Sequence, residues 1–258
     1  CLFVTSLSFF LPMLVVLQAA FAKAGGRGFG LDNITLENLR FVLIDQPITR
    51  AATLHTFVYG GTAAAIALGL GLSIAYIVHR RLVPLGGALA YIAMAPFVIP
   101  GIVLAIGFYA AYTTPPLVLY GGAWILILAF TTRFLPIAYA NSDAAIRSLN
   151  PELEDAVRIL GGGRLLAMRR VVGPLLKRGL AGAFILVFIP ATRELSSAIF
   201  LYTTGTQVLS VLLFDKSDEG NFEILSSIGL ILVVITVALV LAGFRLAGRD
   251  FMLKRTAS

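Results

Sequence analysis

Residues 151–174 read PELEDAVRILGGGRLLAMRRVVGP: acids first, then three glycines, then arginines, closed by Gly173-Pro174. The stretch parses as two short helices. Asn150 suits an N-cap and Pro151 the first helical position, while Glu152, Glu154 and Asp155 fall in or near the first turn, where the helix dipole favours acids. Leu153, Ala156, Val157 and Leu160 share one face by three- and four-residue spacing, and Glu154 stands four residues before Arg158, a favourable pair on another face. Gly161 to Gly163 stop this helix. A second segment, Arg164 to Val172, sets Leu165, Met168 and Val172 on one side and is expected to end at Gly173-Pro174.

So polar a stretch is an exception in this chain. Of the 258 residues, 59% are hydrophobic and only 13% charged, and the mean hydropathy is +0.93. A soluble domain carries about 25% charged residues, so the chain belongs in a lipid bilayer. Leu2 to Ala22 passes without a charge, long enough for a spanning helix of roughly 20 residues. Apolar runs between charged punctuation predict an all-α, polytopic membrane protein forming one domain over residues 1–258, with spans at about 2–22, 51–78, 85–112, 117–140, 180–201 and 224–244. The segment 141–179, which holds the opening stretch, is the longest connection.

Charge gives the orientation. Fourteen of the 20 Lys and Arg lie on one side, in Arg80-Arg81, the 133–178 region and the C-terminal tail; five lie on the other, and Arg193 falls within a predicted span. The positive-inside rule places both ends of this segment and the 141–179 loop in the cytoplasm. The net charge of +7 is thereby explained by topology, with no nucleic acid as partner. Cys1 is the single cysteine, which excludes an internal disulfide. The absence of an initiator Met reads as a chain cut from a longer parent rather than a lipid-bearing N-terminus, because a span follows at once.

The order acid, Ala, small or apolar residue, three residues, Gly, then a helix closing at Pro resembles the "EAA" signature of the membrane subunits of binding-protein-dependent ABC importers, the MetI-like permeases. Here it reads Asp155-Ala156-Val157, Arg158-Ile159-Leu160, Gly161, with Val171-Val172-Gly173-Pro174 at the close. It departs from the family in Asp for Glu, Val for the second Ala and Gly173 for Leu. MAPFVIPGIVLAIGFY (94–109), TTRFLPIAYANSDAAIRSLNPELEDA (131–156) and TRELSSAIFLYTTGTQVLSVLLFD (192–215) extend the likeness, the last in the manner of iron(III)-type permeases. Permeases for phosphonates, thiamine, sulfate and polyamines share most of it.

The resemblance implies a mechanism. In this family the loop's first helix sits in a cleft on a cytoplasmic ATPase, and closure of two ATPase subunits drives the spans between inward- and outward-open states. On that reading Leu153, Glu154, Asp155, Ala156, Val157, Gly161 and Pro174 form the docking surface. The chain would bind no cofactor itself, ATP and Mg being held by the partner; it lacks the G-x-x-x-x-G-K-[ST] phosphate loop. Other implied partners are a second permease half, fused or homodimeric, and a periplasmic solute-binding protein, in a bacterial inner membrane. Iron-type permeases are often fused doubles, so the missing Met points to the C-terminal half of one.

Arg193 and Glu194, in IPATRELSSAIF, are costly within a span, and as sequence neighbours they cannot pair across a helix turn. They are either pathway or gate residues or structural charges satisfied by another helix. His55 and Arg133 lie near predicted span ends and read as snorkelling side chains; two distant histidines do not make a metal site. An ion-coupled secondary transporter would show paired broken helices in an internal repeat, and an enzyme would gather several ionisable groups at one depth. The sequence shows neither.

Overall fold

The structure, a computed structural model, describes residues 2–28 and 30–247. Cys1 and the basic tail residues Arg249, Lys254 and Arg255 lie outside the described residues. The six apolar stretches all appear as helix. They are α1 (Ser6–Phe21), α2 (Pro47–His79), the pair α3 (Gly86–Phe97) and α4 (Gly101–Tyr112), α5 (Ala123–Arg147), a helix that crosses from the loop (below), and the last one, Phe222–Ala247. Four are unbroken and long enough to cross a bilayer, the α3–α4 pair is a bent fifth, and α1 is shorter. Between α5 and the crossing helix lies the loop helix α6 (Glu152–Ile159). The crossing helix, α7, runs Arg164–Ala191, and α8 (Leu209–Asp218) precedes the last helix, α9. Among the described residues the only extended pairing is an isolated bridge between Ala22 and Ile34.

The centre of the bundle is the seam between α2 and α5. On α2 the buried positions Gly60, Ala63, Ala64, Ala67, Gly71 and Ala75 recur at three and four residues, one helical face built of the smallest side chains. Against it α5 sets Ile125, Leu126, Ala129, Phe130, Phe134 and Ala138. Small residues bring two backbones close where lipid supplies no hydrophobic drive for helices to associate. A Cβ on Gly71 would stand 2.8 Å from both the carbonyl carbon of Ala138 and the amide nitrogen of Tyr139, so this crossing admits glycine alone. The α5 span is 56% buried and α9 only 11%, which puts α5 at the core and leaves most of α9 for lipid.

Three expectations need correction, each because a proline or a tertiary contact overrides an apolar run. The stretch 85–112 is not one straight span: its two halves meet at 107°. Pro100 has no N–H and disfavours helical geometry at the residue before it, and it adopts an extended ψ of 140° before Gly101 restarts the helix. Gly173-Pro174 does not end the loop's second helix. Met168–Val172 instead forms a π-turn, a widened turn placed where Pro174 removes an N–H and crowds the carbonyl of Arg170, and the helix runs on to Ala191. Finally, α7 stops at Ala191, one residue past Pro190, so Arg193 and Glu194 occupy a turn, not a helical span. At the loop end α5 extends to Arg147, which shortens the 141–179 connection accordingly.

Gly71→Ala is expected to push α2 from α5 and destabilise the bundle by about 1–3 kcal/mol. Gly69→Ala, where an added Cβ meets nothing within 4 Å, should be near neutral. Thermal unfolding of the two variants side by side in detergent measures the difference.

Candidate functional site

The first loop helix is well specified. Asn150 Oδ1 accepts the Glu152 N–H at 3.0 Å, satisfying one of the free amides at a helix start. At the other end Gly161 N–H donates to the Arg158 carbonyl at 3.0 Å and Gly162 N–H to the Val157 carbonyl at 2.9 Å. This is a Schellman closure, and Gly161 takes the left-handed φ of +80° that it requires. Gly162 is needed for another reason: a Cβ there would stand 2.6 Å from Val157 Cγ1 and 2.9 Å from the Val157 carbonyl oxygen. Gly163 is the N-cap of α7, and an added Cβ there would meet nothing.

The two faces of α6 differ. Leu153 (44% exposed), Ala156 and Leu160 (88%) point outward, with Val157 half-buried, and Ile159 and Leu165 extend the apolar surface. Asp155 is exposed and pairs with Arg158 at 3.3 Å. Pro174 is exposed, away from α6 on α7.

Glu154 is turned the other way. It is 8% exposed, and instead of pairing with Arg158 it binds residues from the end of α2. Arg80 Nε donates to its Oε1 at 2.9 Å, Arg80 Nη2 reaches the same oxygen, and Tyr76 Oη donates to Oε2 at 2.8 Å. Glu154 is thus turned away from the outward-facing residues of α6 that it was expected to join, held by a cation of its own chain. Next along the chain, His79 lies 4.0 Å from Asp143 of α5, which Arg147 also binds at 2.9 Å. The last turn of α2 thus lies beside α5 through His79 and is hydrogen-bonded to α6 through Arg80. Sequence reading took Arg80 only as a topological charge. The available signal was the four-residue spacing of Tyr76 and Arg80, which puts a hydroxyl and a guanidinium on one face.

A second polar layer lies inside the bundle. Arg133 is no snorkelling residue at a span end; it stands in the body of α5, where Nη1 donates to the Ile99 carbonyl at 2.8 Å and the Pro96 carbonyl at 3.4 Å. These are carbonyls released by the α3–α4 break. Two residues on, Gly101 packs on the turn after α7: a Cβ there would meet Ser196 Cβ at 2.8 Å and Glu194 Oε1 at 3.4 Å. Glu194 Oε1 accepts the N–H of Ser197 at 2.9 Å and its hydroxyl at 3.2 Å, and the Glu194 carbonyl accepts the Ser210 hydroxyl at 2.8 Å. Glu194 thus closes the chain break locally. Arg193 is exposed and has no charge or hydrogen-bond partner for its side chain among the described residues.

At the far end His55 Nδ1–H donates to the Gln207 carbonyl at 2.9 Å, and Gln207 donates to Asp215, whose carboxyl burial pushes above its ordinary value. Among the described residues no three His, Cys, Asp or Glu side chains gather as for a metal ion.

Residues 67–249 match the family described as the binding-protein-dependent transport system inner membrane component. The chain belongs to this family. These permeases are multi-pass inner-membrane proteins, in keeping with the apolar helices described above. The ferric transport system permease protein FbpB of Actinobacillus pleuropneumoniae is 30% identical over 83% of the chain, but the match covers only 31% of FbpB; the chain spans about a third of that relative's length. The putative 2-aminoethylphosphonate transport system permease protein PhnV of Salmonella paratyphi A is 25% identical over 93% of the chain and 90% of its own length. In the solved bacterial alginate ABC transporter with its alginate-bound periplasmic protein, one chain superposes with a TM-score of 0.71, covering 97% of this permease and 92% of that chain at 18% identity. A chain of the inward-facing MetNI methionine ABC transporter gives 0.62 at 19% identity, over 84% of this permease and 99% of its own length. The family match accounts for the EAA-like loop and the bundle together.

Replacing Arg133 by Leu should strand the Pro96 and Ile99 carbonyls inside the bundle. The expected loss is about 1.5–3 kcal/mol, the range for a hydrogen bond to a charged group, with Arg133→Lys in between. Thermal unfolding in detergent reads both.

Proposed function

We propose that this permease is one transmembrane half of an ATP-driven ABC importer, with its 141–179 loop in the cytoplasm as the docking element for a separate ATPase. The observation that carries this reading is α6 itself. It is a capped helix whose acid Glu154 is anchored inward while Leu153, Ala156, Ile159 and Leu160 face outward. An amphipathic helix laid into a groove is a common recognition mode, and Asp155 at its edge suits a basic group on the partner. Gly161 and Gly162 set the turn that presents it. The remaining parts of the machine would be a second ATPase subunit, a second permease half, fused or homodimeric, and a periplasmic solute-binding protein. ATP and Mg would be bound and hydrolysed by the ATPase alone.

Affinity capture is the direct test. Wild-type permease solubilised in mild detergent with its second half should retain the ATPase. Leu153→Asp and Gly161→Val should reduce retention at least tenfold while membrane insertion, read by fractionation, stays unchanged. A wild type that holds no ATPase would sink the importer reading.

For the solute, iron(III) is the first proposal, supported by the ferric relative at 30% identity. The second is a phosphonate, supported by a relative matched along nearly its whole length. Uptake of radiolabelled iron(III) citrate and of 2-aminoethylphosphonate by cells with and without the intact system separates them. Arg193 is proposed as the pathway or gate residue, since a charge without a partner at a chain break within the bundle needs water, solute or the opposite half. Glu194, held by Ser197, would fix the turn that presents it. Arg193→Gln is expected to cut uptake at least tenfold with the ATPase still bound; unchanged uptake would remove Arg193 from the path.

A further inference from the structure

The contact between α6 and α2 has a use beyond holding the loop in place. We propose that the Arg80–Glu154–Tyr76 cluster is the transmission joint of the transporter, delivering movement of the docked α6 into α2. Glu154 and Arg80 are the positioning residues of the joint. The inference rests on the ATPase-docking reading above.

The outward face of α6 is apolar and open, and the helix is only eight residues long; apart from its packing on the first turns of α7, it meets the bundle through Glu154. Glu154 is its single buried position, and both carboxylate oxygens are taken by one helix, α2, through three hydrogen bonds. Arg80 puts two donors on Oε1 while Tyr76 holds Oε2, so the carboxylate is fixed from both oxygens. Breaking a buried charge pair on one side leaves the other charge uncompensated, so the two helices favour moving together over separating. The charges lining the small cavity of about 110 Å³ beside Glu154 are Arg80 from α2, Asp155 and Arg158 on α6, and Arg164 at the start of α7.

Arg80 and Tyr76 belong to the end of the helix best connected to the rest. The small-residue seam, closest at Gly71 against Ala138 and Tyr139, locks α2 to α5 along the bundle. At its far end α2 holds the segment after the α7 break, through His55 to the Gln207 carbonyl and Thr56 Oγ1 to the Leu209 N–H at 2.9 Å. A push at Glu154 thus enters α2 at its last turn and leaves at its third. The proposal also divides the two neighbouring acids: Asp155 faces the partner and Glu154 faces the machine.

The test uses the whole transporter in lipid vesicles and needs no knowledge of the solute. Leu54, exposed on the outer part of α2, is replaced by Cys, and its labelling rate by a membrane-impermeant maleimide is compared with and without ATP plus vanadate. In the otherwise wild-type protein, trapping should change the rate severalfold. Glu154→Gln and Arg80→Gln should each keep the ATPase bound and hydrolysing while shrinking that change at least fivefold, and the exchanged pair Arg80→Glu with Glu154→Arg should restore most of it. Three results would overturn the proposal: no change on trapping in the wild-type background, a full change in Glu154→Gln, or loss of the ATPase from Glu154→Gln, which would make Glu154 a docking residue. If the wild type retains no ATPase, the importer reading fails first, so the two failures are distinguishable.

Discussion

A backbone amide or carbonyl freed within the membrane finds no water there, and each one left unpaired costs several kcal/mol. Every irregular feature of this bundle is an answer to that constraint. Pro100 breaks α3 from α4, and Arg133 supplies the donors for Pro96 and Ile99. Pro190 ends α7, and Thr192, Ser197 and Glu194 close the turn with their own side chains. Pro174 enters α7 near the loop, and a π-turn widens the helix ahead of it. Arg133, Thr192, Glu194 and Ser197 stand where the chain departs from a straight helix.

That pattern explains how far the sequence could be read. Six apolar stretches and the first loop helix with its glycine stop were legible, because each depends on local spacing. The bend of α3 against α4 was not, although Pro96 and Pro100 were visible. A proline tells where hydrogen bonding fails, but the direction the chain then takes depends on donors elsewhere, here Arg133, 33 residues beyond Pro100. For the same reason Arg133 was misjudged as interfacial, its cytoplasmic assignment having come from a span boundary that the real α5 moved.

The candidate docking loop shows the same division. Its caps, its glycines and its apolar face follow from short-range rules, and the family match covers that region. The fate of Glu154 does not follow from them. Glu154 and Asp155 both lie in the first turn of the same helix, and local spacing does not say which of them a guanidinium 74 residues away takes. What remained invisible was the partner on α2, since Arg80 is equally at home as a topological charge.

The length of α2 carries a consequence of another kind. Its 33 residues make a rod of about 50 Å, against a hydrocarbon layer of about 30 Å. Such a helix must lean or project into both interfaces, and leaning costs only fractions of a kcal/mol per ångström of mismatch. Membrane thickness therefore enters the mechanics: a thinner bilayer favours a larger lean, and a small change of lean at one end sweeps the other end sideways by several ångströms. The lipid composition around this protein thereby sets how far α2 leans.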